Sequence, residues 1–375
     1  MKILTGIDLP LRMNCGSMVL AADIYGHAEL PFDANFLCLD PAQEQPLPPN
    51  WTCLPLDKSL SLKNADVYHN RLRSLVEFEA ARYRPDILHC QHLGYGMSKA
   101  LVSCAGVPKI GLCHGTDVIE AMNSEVARRD FQFLVDSMDG IVFPSRGILN
   151  DARRLASIPE SKVAIIPWGI PDSYLLAKDR RPAYSALPFR ILYAGRLDPS
   201  KGIPTLLQAI RALPDNMHLT ILGEGPEEVA VRDMIGELEI GHRTKLQRWR
   251  TRSGLQQTFL DFQLLVLPSS RIEAFGLVSV EAQAAGLPVL VANVSGLPET
   301  LPFQAQELAF EAGNVAMLAE KIARIAGSGH IWQHYSDLCR SNARRFVISD
   351  CVKQLDELSR NVLDEFTSTR SVARR

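Results

Sequence analysis

The chain has 375 residues, more than the roughly 250–300 that one hydrophobic core organises, so two domains are expected. Apolar residues make up 46% and charged residues 22%, which excludes a disordered, collagen-like or coiled-coil protein. Forty basic and forty-two acidic side chains give a formal charge of −2, so no strong overall field attracts nucleic acid.

The sequence shows neither a transmembrane segment nor an export signal. Its longest charge-free stretch, Ala282–Pro298, is interrupted by glycine, asparagine and proline, whereas a spanning helix needs about 20 mostly apolar residues. Asp8 ends the first apolar run before it reaches the roughly 7–15 residues of a signal peptide core. The eight cysteines form no C-x-x-C pair, which is typical of reduced thiols. We therefore expect a cytoplasmic protein.

Short apolar runs alternate with longer amphipathic runs over residues 1–172. The predicted strands are Lys2–Ile7, Ala34–Leu39, Asp86–Gln91, Lys109–Cys113, Gly140–Pro144 and Lys162–Pro167. The predicted helices are Val67–Tyr83, Gly96–Ala105, Ser124–Met138 and Ser145–Leu155. Strands that are apolar on both faces and alternate with helices indicate a parallel sheet covered on both sides. Residues 1–172 are thus predicted to form one α/β domain.

The alternation stops at residues 173–188, which we predict as a linker, and resumes over 189–349. The predicted strands there are Phe189–Ala194, His218–Leu222, Lys245–Trp249, Gln263–Pro268 and Pro288–Ala292. The predicted helices are Ile203–Leu213, Glu227–Glu239, Ser253–Phe262, Leu277–Ala285 and Asn314–Ala326. The last helical segment, about 350–375, has no strand after it, so we expect it to return to the N-terminal domain.

Two parallel-sheet domains that face each other would bring the carboxyl ends of both sheets to a central cleft, where ligands bind. The loop after Phe189–Ala194 carries two cations, Arg196 and Lys201, with glycines at 195 and 202. Two cations five residues apart on such a loop suit a diphosphate. Solvated surface cations fit the same pattern.

A second loop follows the strand Gln263–Pro268 and carries Glu273. A helix begins near Gly276, and the backbone N–H groups of Gly276, Leu277 and Val278 can bind phosphate oxygens without any side-chain charge. Glu281 lies about one turn inside this helix. Two carboxylates at this spacing suit two pairs of vicinal hydroxyls, one on a sugar and one on a ribose.

Four motifs stand in a fixed order in the second half of the chain. They are Gly195-Arg196-x4-Lys201-Gly202, Leu222-Gly223-Glu224-Gly225-Pro226, Glu273-x7-Glu281 and Ala284-Ala285-Gly286-Leu287-Pro288-Val289. Together they resemble the retaining glycosyltransferases of the GT-B fold, of the family-4 type (glycosyltransferase group 1). The resemblance implies two Rossmann-like domains and sugar transfer from a nucleotide diphosphate sugar, with retention and without a metal or other cofactor.

The resemblance also implies a role for each matching position in the second domain. Arg196 and Lys201 would hold the diphosphate, Glu273 the hydroxyls of the donor sugar, and Glu281 the ribose. The remaining donor-binding residues would be Gly195, Ala274, Phe275, Gly276, Leu277 and Val278. Backbone near Arg248 and Trp249 would contact the base. The family usually has a Gly-aromatic pair at this point, whereas this chain has Arg-Trp, so this motif does not identify the base. For the donor we expect a UDP-sugar, such as UDP-Glc or UDP-GlcNAc.

The first domain offers fewer matches. The resemblance implies that His114 contacts an outer hydroxyl of the donor sugar and that Gly16, one of the family's usual glycine pair, lies near the phosphate. Residues 1–172 carry 16 basic and 20 acidic side chains, and the rest of the chain carries 24 and 22. From this acidic excess we expect a small soluble neutral or cationic acceptor, such as an amino sugar or aminocyclitol. The candidate acceptor residues are Asp8, His92, Asp117 and Glu120.

Several alternatives stay open. A GDP-mannose-dependent mannosyltransferase acting on a lipid-linked or polysaccharide acceptor fits the same motifs, and so do a sugar-nucleotide epimerase and a non-catalytic nucleotide-sugar-binding protein. The run His89-Cys90-Gln91-His92 with His114 resembles a zinc site only weakly, and we expect no metal. Gly223-Glu224-Gly225 lacks the third glycine of a dinucleotide fingerprint. Peripheral membrane contact and the oligomeric state are not assigned.

Overall fold

The computed structural model describes residues 1–10, 16–26, 30–39, 48–176, 181–248 and 252–373. The chain divides into two compact units. The first consists of Met1–Trp168 and Ile348–Arg375, and the second of Gly169–Val347. Both are α/β units, as the alternation of strands and helices predicts.

The first unit contains a seven-stranded sheet of order β3-β2-β1-β4-β5-β6-β7 in which every pairing is parallel. Its strands are β1 (Lys2–Pro10), β2 (Asp33–Leu39), β3 (Trp51–Leu54), β4 (Ile87–Gln91), β5 (Lys109–Leu112), β6 (Gly140–Phe143) and β7 (Val163–Ile165). Every residue of β4 and β6 is buried, because helices cover both faces of the sheet.

The helices of the first unit connect these strands. They are α1 (Gly16–Tyr25), α2 (Ser59–Lys63), α3 (Ala65–Tyr83), α4 (Gly96–Val102), α5 (Thr116–Asn123), α6 (Glu125–Ser137) and α7 (Arg146–Arg153). Side-chain oxygens cap α3, α6 and α7, with Asn64, Ser124 and Ser145 accepting from backbone N–H groups three residues ahead. Helices α1, α2 and α5 and the four-residue strand β3 were not predicted from the sequence, because they are short or lack a polar face.

The second unit contains a six-stranded sheet of order β10-β9-β8-β11-β12-β13, also parallel throughout. Its strands are β8 (Phe189–Ala194), β9 (Met217–Leu222), β10 (Thr244–Gln247), β11 (Leu264–Leu267), β12 (Val289–Ala292) and β13 (Ala309–Phe310). The two-residue strand β13 is too short to be recognised from residue types. The others coincide with predicted strands to within a few residues.

The helices of the second unit flank this sheet. They are α8 (Ser173–Leu176), α9 (Ile203–Ala212), α10 (Glu228–Glu237), α11 (Arg252–Phe259), α12 (Leu277–Ala285), α13 (Val315–Ala326) and α14 (Gly329–Ala343). The described part of the expected linker belongs to this unit: Tyr184 donates to the Ala326 carbonyl at 2.8 Å, and Gln263 donates to that of Ala183 at 2.8 Å. Residues 177–180 lie outside the described residues.

The final helix, α15 (Ile348–Ala373), belongs to the first unit. Ser359 on α15 is hydrogen-bonded to His89 of β4 at 2.9 Å, and Arg370 donates to the Gly106 carbonyl at 3.0 Å. The expected return of the C-terminal helix to the N-terminal domain is confirmed. Within the described ranges, no helix is both long and apolar enough to cross a membrane.

Candidate functional site

The candidate donor site lies at the carboxyl edge of the second sheet, where the strand order reverses. Strands β8 and β11 are hydrogen-bonded neighbours there, although they are not consecutive in the sequence: β8 ends at Ala194 and β11 ends at Leu267. In open parallel sheets such a reversal opens a crevice between the two following loops, and ligands bind in it. The loops after β8 and β11 are the two that carry the predicted Lys201 and Glu273.

The structure brings Lys201 and Glu273 together. The ammonium nitrogen of Lys201 lies 2.5 Å from Oε2 of Glu273, and each side chain is about one-quarter exposed, at 24% and 23%. Burial acts to lower the pKa of Lys201, but the charge and hydrogen bond of Glu273, together with the charge of Asp198, outweigh it, so the pKa is raised and Lys201 stays charged. The pair therefore offers a fixed cation and a fixed hydrogen-bond acceptor side by side.

The loop that carries Lys201 is held closely against the end of β11. Gly202 has a φ of +63°, and a Cβ on it would lie 1.9 Å from the Pro268 carbonyl oxygen, so only glycine fits. The Ser270 N–H donates to the Ser200 carbonyl at 2.8 Å, and Asp198 accepts from the Ser200 N–H at 3.0 Å. These contacts place Lys201 opposite Glu273.

Arg196 lies on the same loop but is held less tightly. Its side chain is 74% exposed, and its Nε lies 3.9 Å from Asp198, at the outer limit of an ion pair. The hydroxyl of the buried Tyr193 donates to the Arg196 carbonyl at 2.7 Å and so fixes the backbone after Gly195. The guanidinium is thus accessible to an anion, while its backbone is anchored.

The N-terminus of α12 faces the same edge of the sheet. Gly276 is the N-cap, with a φ of +86°, and it offers no side chain to the first N–H groups of the helix. Leu277 and Val278 in the first turn are half-buried. A helix start without a side-chain cap, and with its dipole directed at the loop, is suited to bind an anion.

The other predicted residues of this segment are more enclosed. Ala274 and Phe275 are buried, and the Phe275 ring packs edge-on against Phe346 at 5.4 Å. Glu281 is 9% exposed, on α12. Phe275 therefore anchors the loop in the core of the second unit, a role that was not predicted from the sequence.

A buried polar network that no sequence motif indicates joins α12 to α14. Gln283 donates to Ser279 Oγ at 3.1 Å and to the Thr300 carbonyl at 2.9 Å, and its Oε1 accepts from Asn342 at 2.8 Å. Asn342 also donates to the Thr300 carbonyl, at 2.7 Å. The network thereby fixes the helix whose N-terminus faces the site.

We expect Gln283→Leu to destabilise the second unit. The substitution leaves one N–H of the Asn342 amide without an acceptor, while the other keeps its bond to the Thr300 carbonyl, and each buried polar group left unpaired costs about 1–3 kcal/mol. Urea denaturation is the measurement, with Gln306→Leu as the control, because Gln306 makes a local bond to the Pro302 carbonyl at the surface. Equal midpoints for the two variants would show that the network contributes nothing.

The predicted base-binding position is described only in part. Arg248 is exposed, directly after β10, and Trp249 lies outside the described residues. Gly223 and Gly225 allow close packing of the backbone. A Cβ on Gly223 would lie 2.0 Å from the Gly195 carbonyl oxygen, and one on Gly225 would lie 2.3 Å from that of Leu197. These glycines support the loop of Arg196 and Lys201.

In the first unit, Asp8 forms an ion pair that was not predicted from the sequence. Its fully buried carboxylate lies 2.5 Å from the Lys58 ammonium and accepts from the Tyr68 hydroxyl at 3.1 Å. The other oxygen, Oδ1, is buried and makes no hydrogen bond to the described residues. The negative charge of Asp8 is therefore balanced by the ammonium group of Lys58.

His92 and His114 lie together in a stack of rings. The His92 ring is 4.1 Å from that of His114 and 4.4 Å from that of Tyr95, and Trp168 follows His114 at 5.6 Å. Burial lowers the pKa of His114 to about 4 and that of His92 well below its usual value, so both are neutral at neutral pH. His92 also has a φ of +61°, which is uncommon for a residue with a side chain.

The remaining predicted residues of the first unit differ in exposure. Asp117 is fully buried and accepts from backbone N–H groups of its own turn and of the loop after β4, so it joins these two loops instead of offering a carboxylate to an acceptor. The donors are His114, Gly115 and Val118 in the turn and Leu93 in the loop after β4. Glu120 is exposed, and desolvation by its neighbours, followed by the charge of Asp117, raises its pKa. Gly16 is exposed at the start of α1, with space around it. An acidic residue in the first turn of a helix was the available signal for the role of Asp117.

Two family models match the chain. The model described as "Glycosyl transferases group 1" matches residues 181–345, and the model described as "Glycosyltransferase Family 4" matches residues 32–174. The chain belongs to the family-4, or group 1, glycosyltransferases. Each match lies mainly within one of the two units.

Curated relatives match parts of the chain. A D-inositol 3-phosphate glycosyltransferase of Mycolicibacterium gilvum is 32% identical over 181 residues, which are 44% of this chain and 40% of that protein. A glycogen synthase of Mycobacterium tuberculosis is 27% identical over 58% of this chain and 55% of its own length. An exopolysaccharide phosphotransferase of Streptomyces coelicolor is 30% identical over 57% of this chain and 22% of its own length. The chain thus spans about half the length of these relatives or less.

Solved structures show the same fold over nearly the whole chain. A sucrose-phosphate synthase from Thermosynechococcus elongatus matches with a TM-score of 0.83 and 18% identity, covering 97% of this chain and 100% of that one. HepE of Anabaena in complex with UDP-glucose matches with a TM-score of 0.78 and 19% identity, covering 96% and 99%. The GT-B fold predicted from the sequence is confirmed.

Proposed function

We propose that this protein transfers a sugar from a nucleotide diphosphate sugar to a hydroxyl group of an acceptor. The observation that carries the proposal is the Lys201–Glu273 pair, 2.5 Å apart at the strand-order reversal of the second sheet. A charged lysine beside the N-terminus of α12 suits a diphosphate, and the adjacent glutamate suits sugar hydroxyls.

In the proposed reaction, the bond between the anomeric carbon and the diphosphate oxygen breaks, and a bond from the acceptor oxygen to that carbon forms. The acceptor proton passes to the departing nucleoside diphosphate, so the products are a glycoside and a nucleoside diphosphate. Lys201, Arg196 and the helix N-terminus stabilise the negative charge that develops on the leaving group. In this proposal Glu281 holds the ribose, and His114 contacts a hydroxyl of the donor sugar.

We propose a UDP-sugar as the donor, transfer with retention of anomeric configuration, and no requirement for metal. The complexes of HepE with UDP-glucose and with UDP and glucose support the choice of nucleotide, since they share this fold. Lys201 and Arg196 supply cationic charge where a metal ion would otherwise neutralise the diphosphate. A cytoplasmic location belongs to the same proposal.

The proposed acceptor is a small soluble polar molecule. The pairing of Asp8 with Lys58 and the hydrogen bonds of Asp117 weaken the case for a cationic acceptor. Glu120 keeps an exposed carboxylate, which suits hydrogen bonds to hydroxyl groups as well as to an amine. A neutral polyol or sugar fits these contacts best.

A thermal-shift panel of UDP-, GDP-, ADP- and dTDP-sugars tests the donor. A ligand at 100 times its Kd stabilises the folded state by about 2.7 kcal/mol, which such a panel resolves. We expect the UDP-sugars to raise the Tm most, and stabilisation by GDP-mannose alone would favour the mannosyltransferase alternative. Transfer from the stabilising donor is then followed with and without EDTA, and the anomeric configuration of the product is read by NMR. Binding without transfer or hydrolysis would contradict the proposed function.

A further inference from the structure

Five buried or half-buried side chains of the first unit form a continuous hydrogen-bond chain from α15 to His114. Ser359 Oγ lies 2.9 Å from His89 Nε2, and His89 Nδ1 lies 2.9 Å from the Tyr25 hydroxyl. The Tyr25 oxygen accepts from Gln91 Nε2 at 3.0 Å, and Gln91 Oε1 lies 2.8 Å from His114 Nε2. The chain thus ends at the histidine that the proposed function places against a sugar hydroxyl.

The direction of donation along this hydrogen-bond chain is fixed at Ser359. Its hydroxyl donates to the Leu355 carbonyl at 2.6 Å, and a carbonyl oxygen can only accept. Ser359 Oγ therefore accepts from His89 Nε2–H. Burial lowers the pKa of His89 to about 3, so its ring is neutral and carries one N–H. His89 Nδ1 is then an acceptor, and the Tyr25 hydroxyl donates to it.

A second fixed point gives the same direction independently. The Thr5 hydroxyl donates to the His89 carbonyl at 2.8 Å, so Thr5 Oγ1 accepts from Gln91 Nε2 at 3.0 Å. The Gln91 amide nitrogen therefore faces Thr5 and Tyr25, and its oxygen faces His114. An amide oxygen can only accept, so the proton of the neutral His114 ring is on Nε2.

We propose that this chain fixes His114 in its Nε2–H tautomer and thereby makes His114 Nδ1 an obligate acceptor for a hydroxyl of the donor sugar. Ser359, His89, Tyr25, Gln91 and Thr5 are then positioning residues for that selectivity. The inference rests on the proposed function in its choice of ligand. The hydrogen-bond chain itself stands on the distances alone.

The stacked rings keep the selected nitrogen in place. The His114 ring stacks on His92, at 4.1 Å, and on Trp168, at 5.6 Å, and a ring flip would put Cε1 in the place of Nε2 and so break the bond to Gln91. Nδ1 makes no hydrogen bond to the residues that the structure describes. A sugar hydroxyl that meets it must donate, and a fluorine in its place cannot.

The tautomer is measured by two-bond ¹H–¹⁵N correlation NMR on the full chain labelled at histidine, with His114→Gln to assign the signal. We expect the Nε2–H pattern for His114 in the wild type, and an Nδ1–H pattern would overturn the proposal. The double variant Ser359→Ala/Thr5→Val removes both fixed points and so permits the reversed direction of the hydrogen bonds, and His114 should then become a mixture of tautomers. Ser137→Ala is the matched control, because Ser137 makes the same bond to a carbonyl four residues back without a histidine partner. An unchanged tautomer in the double variant would show that the hydrogen-bond chain does not select it and would overturn the proposal.

Donor analogues supply a second readout. UDP-glucose is compared with its singly deoxyfluorinated analogues at C3, C4 and C6. We expect one analogue to lose about tenfold to a hundredfold in kcat/KM, the effect of about 1.4–2.7 kcal/mol from one lost hydrogen bond. That loss should shrink in Gln91→Met, which frees the His114 tautomer. Equal losses in both proteins would contradict the assignment of Nδ1, whereas an intact tautomer without any sugar transfer would contradict the proposed function alone.

Discussion

Replacing Lys201 with methionine is expected to reduce sugar transfer about a hundredfold to a thousandfold, the effect of removing one fixed group that stabilises developing negative charge. Methionine keeps most of the length of the side chain and removes the ammonium group. The substitution also leaves Glu273, 23% exposed, without its partner at 2.5 Å. Initial rates of transfer from a labelled UDP-sugar measure the effect, and circular dichroism reports whether the fold is kept.

A double-mutant cycle with Glu273→Gln separates the pair from its members. If Lys201 and Glu273 act as one unit, the double variant should lose little more activity than Lys201→Met alone, because the second change removes a group that is already misplaced. Lys321→Met is the control, since the Lys321 ammonium donates to the Glu307 carbonyl at the surface of the same unit. Normal turnover by Lys201→Met would refute the diphosphate assignment.

Lys201 and Glu273 could be predicted from the sequence because each lies in a loop that directly follows a strand. Seventy-two positions separate them, but parallel strands end at one edge of a sheet, and β8 and β11 are neighbours. A loop after each strand therefore suffices to bring the two side chains together. The sequence does not contain the contact itself, only the two strand ends that create it.

The acceptor side could not be predicted in the same way. Lys58, the partner of Asp8, lies 50 residues away in a segment with no periodic pattern, close after the unpredicted strand β3. Asp117 is satisfied by backbone N–H groups of its own turn and of the loop after β4, and residue types alone do not identify those donors. The acidic excess of residues 1–172 therefore overstated the free negative charge, because a count of charges does not show which of them are paired.

Alanine at Gly202 is expected to have the largest effect on stability, and two other glycines allow its causes to be separated. Gly236 lies within α10 with no atom near its missing Cβ, so Gly236→Ala should stabilise by about 0.5–1 kcal/mol through helix propensity. Gly313 has a φ of +79° but open space, so Gly313→Ala should cost only the left-handed backbone penalty, about 1–2 kcal/mol.

Gly202 combines a φ of +63° with a Cβ position 1.9 Å from the Pro268 carbonyl oxygen, a backbone atom that cannot rotate away. We therefore expect Gly202→Ala to destabilise by at least about 3 kcal/mol, beyond the backbone penalty alone. The clash also pushes the Lys201 loop away from β11, so the stabilisation by a UDP-sugar should be lost, whereas Gly313→Ala should keep it. Urea denaturation with and without the nucleotide sugar measures both effects. Equal costs at Gly202 and Gly313 would mean that the loop gives way easily, and that close packing against β11 does not hold Lys201 opposite Glu273.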